Sequence, residues 1–450
     1  MTPGPWSGRR LHFVGIGGAG MSGLALVARS LGAEVSGSDR AESSYMQPLR
    51  AEGIEPAIGH DARNVPDGAE VVVSTAIAPD NPELARAERT LHRGDLLAEV
   101  SLLRRCAAIA GTHGKTTTAC MCAHVLIEAG TAPSYLIGGE LRTTSRNADW
   151  GDGEWLVIEA DESDRSFLKL SPEVGVVTSV ELDHHATYRS RREIEAAFEE
   201  FAGGAGFTIA WEGVGLRGAS ITYGIGAGGV AAEDVRLGPG GSRFTALGVE
   251  VELSVPGEHN VLNALAAIAA CREAGVEPAE AAAALASFPG AGRRFERRGT
   301  TAAGAVVYDD YAHHPTEVRA SIEAARTLDP ERLIACFQPH LFSRTARLAR
   351  EFGAALALAD AICVLDVYPA RERAEDHQGV SGWLVATAAA DASGGRPVYW
   401  TPTIDDAERL LSSILHEGDV LLTLGAGDID RLAARLVEPV PAEPAGGAAR

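Results

Sequence analysis

The sequence is almost devoid of lysine. Of 40 basic side chains in 450 residues, only Lys115 and Lys169 are lysines; the other 38 are arginines. Arginine is a planar fork and lysine a compact point charge, so a surviving lysine marks a position where a guanidinium does not fit. A basic excess is absent as well, since 61 acidic residues leave a formal net charge of −21. That balance argues against a nucleic-acid partner, which calls for a basic face. An acidic chain still binds anionic nucleotides where donors gather at helix N-termini and beside a few cations. Paired cysteines are missing too. Cys106, Cys120, Cys122, Cys271, Cys336 and Cys363 are scattered with no CxxC pair, which leaves no disulfide framework or zinc ribbon and fits a reducing, cytoplasmic location. No apolar run approaches the ~20 residues of a membrane span. The one stretch that mimics a signal peptide, "RRLHFVGIGGAGMSGLALVARS", holds five glycines, a poor h-region and a good strand–turn–helix. No membrane insertion is expected.

What is present is a β–α rhythm long enough for two or three domains. Strands read as "LHFVGI", "EVSGSD" and "EVVVSTAI", with helices near 20–31, 43–52 and 81–91; such alternation builds a parallel sheet. A second unit opens at "CAAIAGTHGK" and continues through "EWLVIEADE", "VGVVTSV" and "FTIAW". The glycine-rich "GIGAGGVAAEDVRLGPGGS" reads as a mobile connection, "RFTALGVEVELSV" as antiparallel strands and "NVLNALAAIAACREAG" as a helix. "FPGAGRRFERRG", with four arginines in six residues, reads as a linker. A third unit repeats the rhythm in "AVVYDDYAHHP", "RLIACFQPH", "AICVLDVYPA", "PVYWTP" and "DVLLTLGAGD". The predicted class is α/β, with domains at 1–104, 105–290 and 291–437 and a disordered tail over 438–450.

Six sets of motifs carry chemistry. Gly15, Gly17 and Gly20, followed by Asp39 at the end of the next strand, have the order of a dinucleotide-binding fingerprint. Alone it says only that a diphosphate lies against backbone N–H groups, so a nicotinamide oxidoreductase stays open at this point. "GTHGKTTT" follows a strand and precedes a helix, with Gly114, Lys115 and Thr116 in the places of a phosphate loop. The usual further glycine, five residues before Gly114, is Ile109 here; the nearest is Gly111, so the loop is compressed. "LVIEADESD" offers Glu159, Asp161, Glu162 and Asp164 as oxygen ligands for Mg²⁺ at a strand's C-terminal end, or forms a solvated acidic turn. "SVELDHHATY" places Asp183, His184 and His185 after another strand, as a metal cluster or a surface turn; with no HExxH, Mg²⁺ held by a carboxylate and a histidine is preferred over a transition-metal hydrolase. Asn260 and Asn263 share one helix face. Asn260 is either an N-cap or, with Asn263, a reader of the adenine edge. Asp309, Asp310, His313 and His314, then His340 and Arg344, follow successive strands and mark a ligand site on that sheet edge, with capping by Thr316 or Ser343 accounting for part of each motif.

These motifs, together with "GRRFERRG" and "LDVYPARE", occur in the order seen in Mur ligases, and the chain resembles that family from about residue 11 to 437. "GIGGAGMSG" and the third-unit motifs are most similar to its alanine-adding branch. The resemblance implies a Rossmann-like N-terminal domain for a UDP-sugar and a central P-loop ATPase-type domain, mostly parallel, for ATP and Mg²⁺ (or Mn²⁺ in its place). A Rossmann-like C-terminal domain would close over both and receive the amino acid. It further implies a reaction of peptidoglycan precursor synthesis. ATP phosphorylates the lactyl carboxylate of UDP-N-acetylmuramate, L-alanine attacks, and phosphate leaves; the alternative within the family is a ligase recycling an intact peptide onto the same sugar. By resemblance, Gly15, Gly17, Gly18, Ala19, Gly20, Met21, Ser22, Asp39 and Ser74 serve the UDP-sugar. Gly111, Thr112, His113, Gly114, Lys115, Thr116, Thr117, Asn260, Asn263, Arg294 and Asp309 serve ATP. Thr116, Glu159 and His184 hold the metal, with Lys115, Glu159 and His184 catalytic, and His314, His340 and Arg344 surround the amino acid. A monomer or homodimer is implied. Ala186 stands where many relatives carry an aspartate. No lysine follows Lys169, so the carbamylated lysine of other Mur ligases has no counterpart here. An oxidoreductase would leave "GTHGKTTT" unexplained, and a catalytically idle UDP-sugar sensor would not need Lys115, Glu159 and His184 intact.

Overall fold

The computed structural model describes residues 4–184 and 187–437; the expected disordered tail, 438–450, and the His185–Ala186 step lie outside the described residues. The strand–helix alternation is realised as three sheets. The first has β1 (Arg10–Val14), β2 (Glu34–Asp39), β3 (Ala57–Ile58), β4 (Glu70–Val73) and β5 (Arg89–His92), in the order β3-β2-β1-β4-β5 and parallel throughout. Helix α1 (Ala19–Ser30) follows β1, and its Met21-to-Ala28 stretch is buried. Shorter α2 (Met46–Ala51) and α3 (Arg93–Ser101) complete this layer.

The helix expected over 81–91 does not form. Leu84–Arg86 is one 3₁₀ turn, and β5 begins at Arg89. The reason is Glu83, which turns inward rather than onto a solvated helix face. Its buried carboxylate accepts from Ser38 Oγ (2.6 Å), Asn64 Nδ2 (2.8 Å) and the Asp61 amide (3.2 Å). His12 Nε2 stands 3.5 Å away.

The second sheet has ten strands: β6 (Arg105–Ala110), β7 (Ser134–Leu141), β8 (Arg146–Asp149), β9 (Trp155–Glu159), β10 (Val174–Val177), β11 (Phe207–Trp211), β12 (Ile221–Ile225), β13 (Val230–Gly238), β14 (Gly241–Ala246) and β15 (Val249–Leu253). Their order is β15-β14-β13-β12-β11-β10-β6-β9-β7-β8. After β6 the chain builds one flank and returns past β6 to build the other, so β6 is the topological switch point, where open α/β sheets place their ligands. Its Ala107 and Ile109 share a core cluster with α4 (Lys115–Glu128), which packs behind that face of the sheet. The glycine-rich stretch expected as a mobile connection contains β13. Gly226 and Gly228 adopt positive φ in the turn, after which Val230 and Ala232 are buried in the core. The strands β14 and β15 pair antiparallel, as their alternation predicts. Helices α5 (Arg191–Gly203), α6 (Glu258–Glu273) and α7 (Pro278–Ala286) cover the sheet.

The first two sheets belong to one compact unit. Asn147 Nδ2 on β8 donates to Ala19 O (2.7 Å) and Ser22 Oγ (3.1 Å) on α1. Gly23 is glycine because a Cβ there would come within 3.2 Å of Leu136 and Ala148. The other unit carries the third sheet: β16 (Glu296–Thr300), β17 (Val306–Asp310), β18 (Arg332–Phe337), β19 (Ala361–Val364), β20 (Val398–Trp400) and β21 (Asp419–Leu424), ordered β16-β17-β21-β18-β19-β20. Only β16 is antiparallel to its neighbour. Helices α8 (Pro315–Arg326) and α9 (Phe342–Leu356) follow β17 and β18. All six cysteines are buried free thiols. Among the described residues no helix is long and apolar enough to cross a membrane.

Burial alone would raise the pKa of Glu83, but His12, Ser38 and Asn64 outweigh it and hold the carboxyl at about 2. As pH falls the unfolded chain takes up this proton first, so the stabilisation is complete above about pH 4.5 and lost towards pH 2. Glu83→Gln is therefore expected to cost about 2–3 kcal/mol at neutral pH and to flatten the acid limb between those limits. Urea unfolding across pH measures both.

Candidate active site

The residues from Gly111 to Gly114 join β6 to α4, and three strand ends converge on them and on the first turn of the helix. Gly111 has φ +136°, and a Cβ there would lie 2.0 Å from Thr178 Oγ1, just past β10. Gly114 is the left-handed N-cap of α4 (φ 82°), and its Cβ would lie 2.5 Å from Asn263 Oδ1. Both glycines are thus demanded by close approach as well as by backbone conformation. The loop is pinned to the chain beyond β10. Thr112 N donates to Ser179 O (3.0 Å), His113 N to Ser179 Oγ (2.7 Å) and Thr112 Oγ1 to Glu181 O (3.1 Å). The His113 ring meets Glu181 Oε2 at 3.0 Å.

Lys115 is the first residue of α4. Its Nζ donates to Gly111 O (2.5 Å) and Thr112 O (3.2 Å) and pairs with Glu162 Oε2 at 2.8 Å. Burial works against its charge, but Glu162, Asp161 and Glu159 prevail and hold the pKa at about 12. The ammonium is therefore charged at any physiological pH. Asp161 is held well below the usual carboxylate range: burial opposes ionisation, and Arg93 and Lys115 overcome it.

Thr116 Oγ1 donates to Glu159 Oε1 (3.1 Å), and the Gly138 amide donates to Glu159 Oε2 (2.7 Å). A hydroxyl and a carboxylate oxygen side by side, where the phosphate-loop helix begins, are the hard donors that a small divalent cation takes. His184 lies instead against Glu162, with Nε2 3.4 Å from Oε1 and 3.8 Å from Asp183 Oδ2. Burial lowers its pKa, and Glu162 and Asp183 more than reverse this, so the net shift is upward. The expected metal set is thus divided into a Thr116–Glu159 pair and a His184–Glu162 pair, with Glu162 also holding Lys115. Thr117 is buried in the first turn of α4.

Asn260 is not a helix cap. α6 begins at Glu258, which puts Asn260 inside its first turn, where Oδ1 accepts from Asn263 Nδ2 (3.1 Å). Asn263 Oδ1 in turn takes Thr118 Oγ1 (3.2 Å). The pair is buried beside the phosphate loop, and Asn263 braces Gly114.

The glycine loop of the first sheet lies in the same unit. Gly15, at φ +79°, and Ile16 donate their amides to Ser38 O, and Gly17 N donates to Asp39 Oδ2 (3.0 Å). Asp39 therefore braces the loop from beneath. Gly18 caps α1, and Ala19 and Gly20 form its first turn. Met21 and Ser22 follow in the same helix. Both are buried, and Ser22 Oγ donates to Ala19 O while accepting from Asn147. Ser74 follows β4 and accepts from Ala76 N.

In the other unit, Asp309 is wholly buried, bound by Arg293 Nε (3.0 Å) and Thr423 Oγ1 (2.8 Å). The sequence pairs it with Arg294 as a nucleotide contact. Instead Asp309 points inward and anchors Arg293, which also donates to the carbonyls of Gly425 and Gly427, while Arg294 lies over the Tyr311 ring at 4.8 Å. His340 and Arg344 are brought together, Nδ1 to Nη1 at 3.3 Å, with the Tyr368 ring stacked on His340. His314 is buried as the N-cap of α8 in a capping box with Glu317. Thr316 and Ser343 do not cap with their side chains; Thr316 N donates to His314 Nδ1 (3.4 Å), and Ser343 N to Glu372 (2.9 Å).

Several contributors carry no motif. Thr178, Ser179 and Glu181 shape the phosphate loop only through folding. The Gly138–Gly139 pair had a readable signal, since glycine inside a strand marks close approach. A Cβ at Gly138 would stand 2.7 Å from the Glu159 carboxylate, and one at Gly139 would stand 2.9 Å from Thr116.

Three family models match the chain: Mur ligase family, catalytic domain, over 10–101; Mur ligase middle domain over 109–271; and Mur ligase, glutamate ligase domain, over 293–427. The UDP-N-acetylmuramate–L-alanine ligase of Streptomyces coelicolor is 46% identical, covering 97% of this chain and 99% of its own length. Among solved structures, the UDP-N-acetylmuramate-alanine ligase MurC of Thermotoga maritima is 31% identical with a TM-score of 0.83, covering 95% of this chain and 98% of that one. The murein peptide ligase of Psychrobacter arcticus is 25% identical with a TM-score of 0.72, at the same coverages.

Gly138→Ala is expected to push Glu159 off Thr116. An ångström-scale displacement at a reacting centre costs about 10²-fold. Nucleotide hydrolysis or turnover should fall by that order and shift to higher Mg²⁺ concentration, while the thermal midpoint of the free protein stays near that of the parent. A magnesium titration of phosphate release measures it.

Proposed function

The chain belongs to the Mur ligase family, and from that premise we propose that it joins L-alanine to the lactyl carboxylate of UDP-N-acetylmuramate with conversion of ATP to ADP and phosphate. The observation that carries the reading is the phosphate loop at the switch point of the central sheet, with Lys115 charged and Thr116 set against Glu159, in one unit with the glycine loop. We assign residues 1–104 to the UDP-sugar, 105–290 to ATP and 291–437 to the amino acid, in a cytoplasmic enzyme. Six reduced, buried cysteines support that compartment.

A carboxylate is a poor acyl donor until one of its oxygens becomes part of a leaving group. Transfer of the γ-phosphoryl group to a lactyl oxygen makes an acyl phosphate and releases ADP. The alanine amine then attacks the carbonyl carbon, and the tetrahedral intermediate collapses with loss of phosphate. The protein's share is positioning and charge. The carbonyls of Gly111 and Thr112 and the Glu162 carboxylate hold Lys115 at the mouth of the loop, and phosphate oxygens are the stronger partners for the same ammonium. Gly111 and Gly114, without a Cβ, let the loop close against Thr178 and Asn263, and its amides serve the phosphates from there. Thr116 and Glu159, and His184 from its place beside Glu162, would hold Mg²⁺, which when bound neutralises charge on the transferring phosphoryl group. Asn260 and Asn263 serve the adenine side, and His314, His340 and Arg344 the amino acid. The diphosphate of the UDP-sugar lies on Gly15–Gly20 at the N-terminus of α1, so the fingerprint serves a substrate without hydride chemistry.

Phosphate release with ATP and UDP-N-acetylmuramate tests this reading, with L-alanine supplied in one arm and a stem peptide in the other. Turnover with L-alanine is expected; turnover with the peptide alone would assign the recycling reaction instead. Lys115→Ala is expected to lower kcat by about 10²–10³-fold or more while leaving UDP-N-acetylmuramate binding unchanged by calorimetry. Unaltered turnover would remove Lys115 from the mechanism.

A further inference from the structure

Arg93 opens α3 directly after β5, and no motif points to it. Its side chain is 20% exposed, and its guanidinium is used on one edge only. Nη2 donates to Asp161 Oδ2 at 2.7 Å and to Asp164 Oδ2 at 3.2 Å. Both carboxylates lie in the acidic loop after β9, the strand that ends in Glu159. The loop is itself well ordered around them: Asp161 Oδ1 accepts from Ser163 N (3.0 Å), and Asp164 Oδ1 accepts from Ser166 N (2.9 Å).

The other edge points elsewhere. A Cβ on Gly20 would stand 3.2 Å from Nη1, so this nitrogen rests against the first turn of α1, where the glycine loop enters the helix. Among the described residues neither Nη1 nor Nε makes a hydrogen bond. An arginine has five donors in a fixed fork, and here three of them have no protein partner and stay open to an incoming acceptor. The surroundings make the absence sharper. The N-cap Gly18 gives no side-chain cap, and the first turn of α1 has no acidic residue. A cation therefore stands beside the positive end of a helix, an unfavourable pairing that an anion between them would reverse. The nearby Asp39 is already engaged with Gly17 N.

We propose that Arg93 is a binding residue for the diphosphate of the nucleotide-sugar: its free edge donates to a phosphate oxygen while Asp161 and Asp164 fix the opposite edge. The inference rests on the reading of the glycine loop as the diphosphate seat. Gly20 is then glycine so that the guanidinium can reach the loop. One planar group joins the substrate's phosphates to the loop that follows Glu159, a task a lysine cannot do because its point charge serves one side at a time.

The test compares UDP with uridine, by calorimetry on the full chain, in the parent, Arg93→Gln and Arg93→Lys. A charge-assisted bond to phosphate predicts that Arg93→Gln weakens UDP binding by about 10–100-fold and leaves uridine binding unchanged. Arg93→Lys should recover only part of the loss, and the KM for ATP should move less than about twofold. If UDP and uridine weaken together, Arg93 acts only as a clasp between the two sheets, and the proposal fails. Unchanged UDP affinity in Arg93→Gln also overturns it. If the parent binds UDP no better than uridine, the diphosphate seat itself is wrong, an outcome separate from a failure at Arg93.

Discussion

One buried ammonium organises the centre of this molecule. Lys115 lies almost out of water, where an unpaired charge would be intolerable. It is kept charged by Glu162 at contact distance, by Asp161 and Glu159 further out, and by two loop carbonyls. Each partner comes from a particular strand end. The carbonyls follow β6, and the carboxylates stand at or after the end of β9; β10 supplies the chain on which the loop rests. The strand order of the central sheet, with β6 flanked by β9 and β10, is what brings these groups to one point. A guanidinium at position 115 would present a wide fork to a site built for a point charge, which gives the retention of lysine in an arginine-rich chain a geometric basis.

The same acidic loop faces two ways. Towards β6 it offers Glu162 to Lys115; towards the first sheet it offers Asp161 and Asp164 to Arg93. Further ties join the same two sheets, including Lys169 with Asp95 and Asn147 with Ala19 and Ser22. The phosphate-type loop and the glycine loop are thereby held in one compact unit. The acidic run that looks in sequence like a solvated turn is a load shared between cations on opposite sides.

Much of this was legible before any coordinates. Period and turn signals identified the strands that precede the motifs in all three sheets, because short apolar runs ending in glycine or polar clusters leave few alternatives. Gly111, Gly114, Lys115 and Thr116 were legible for the same reason: their spacing is local. What escaped was non-local. Glu83 looks like an ordinary helix surface residue, and its inward turn depends on Ser38 and Asn64. Val230 and Ala232 are too few among glycines to announce β13. Asp309 and Asp310 are adjacent, and their pairing with Arg293 and with the Phe295 amide follows from strand parity and neighbouring elements that no motif states. Arg93 is one arginine among 38, distinguished only by what surrounds it.

The scarcity of lysine gives the molecule two natural reporters. One ε-ammonium, Lys115, sits in the phosphate loop; the other, Lys169, is half-exposed and clasps Asp95 across the first two sheets. A sample isotopically enriched at lysine side chains would give one resonance from each. Any change at the loop would be read at the first, and the contact between the sheets at the second, in a spectrum with no other lysine signal to obscure them.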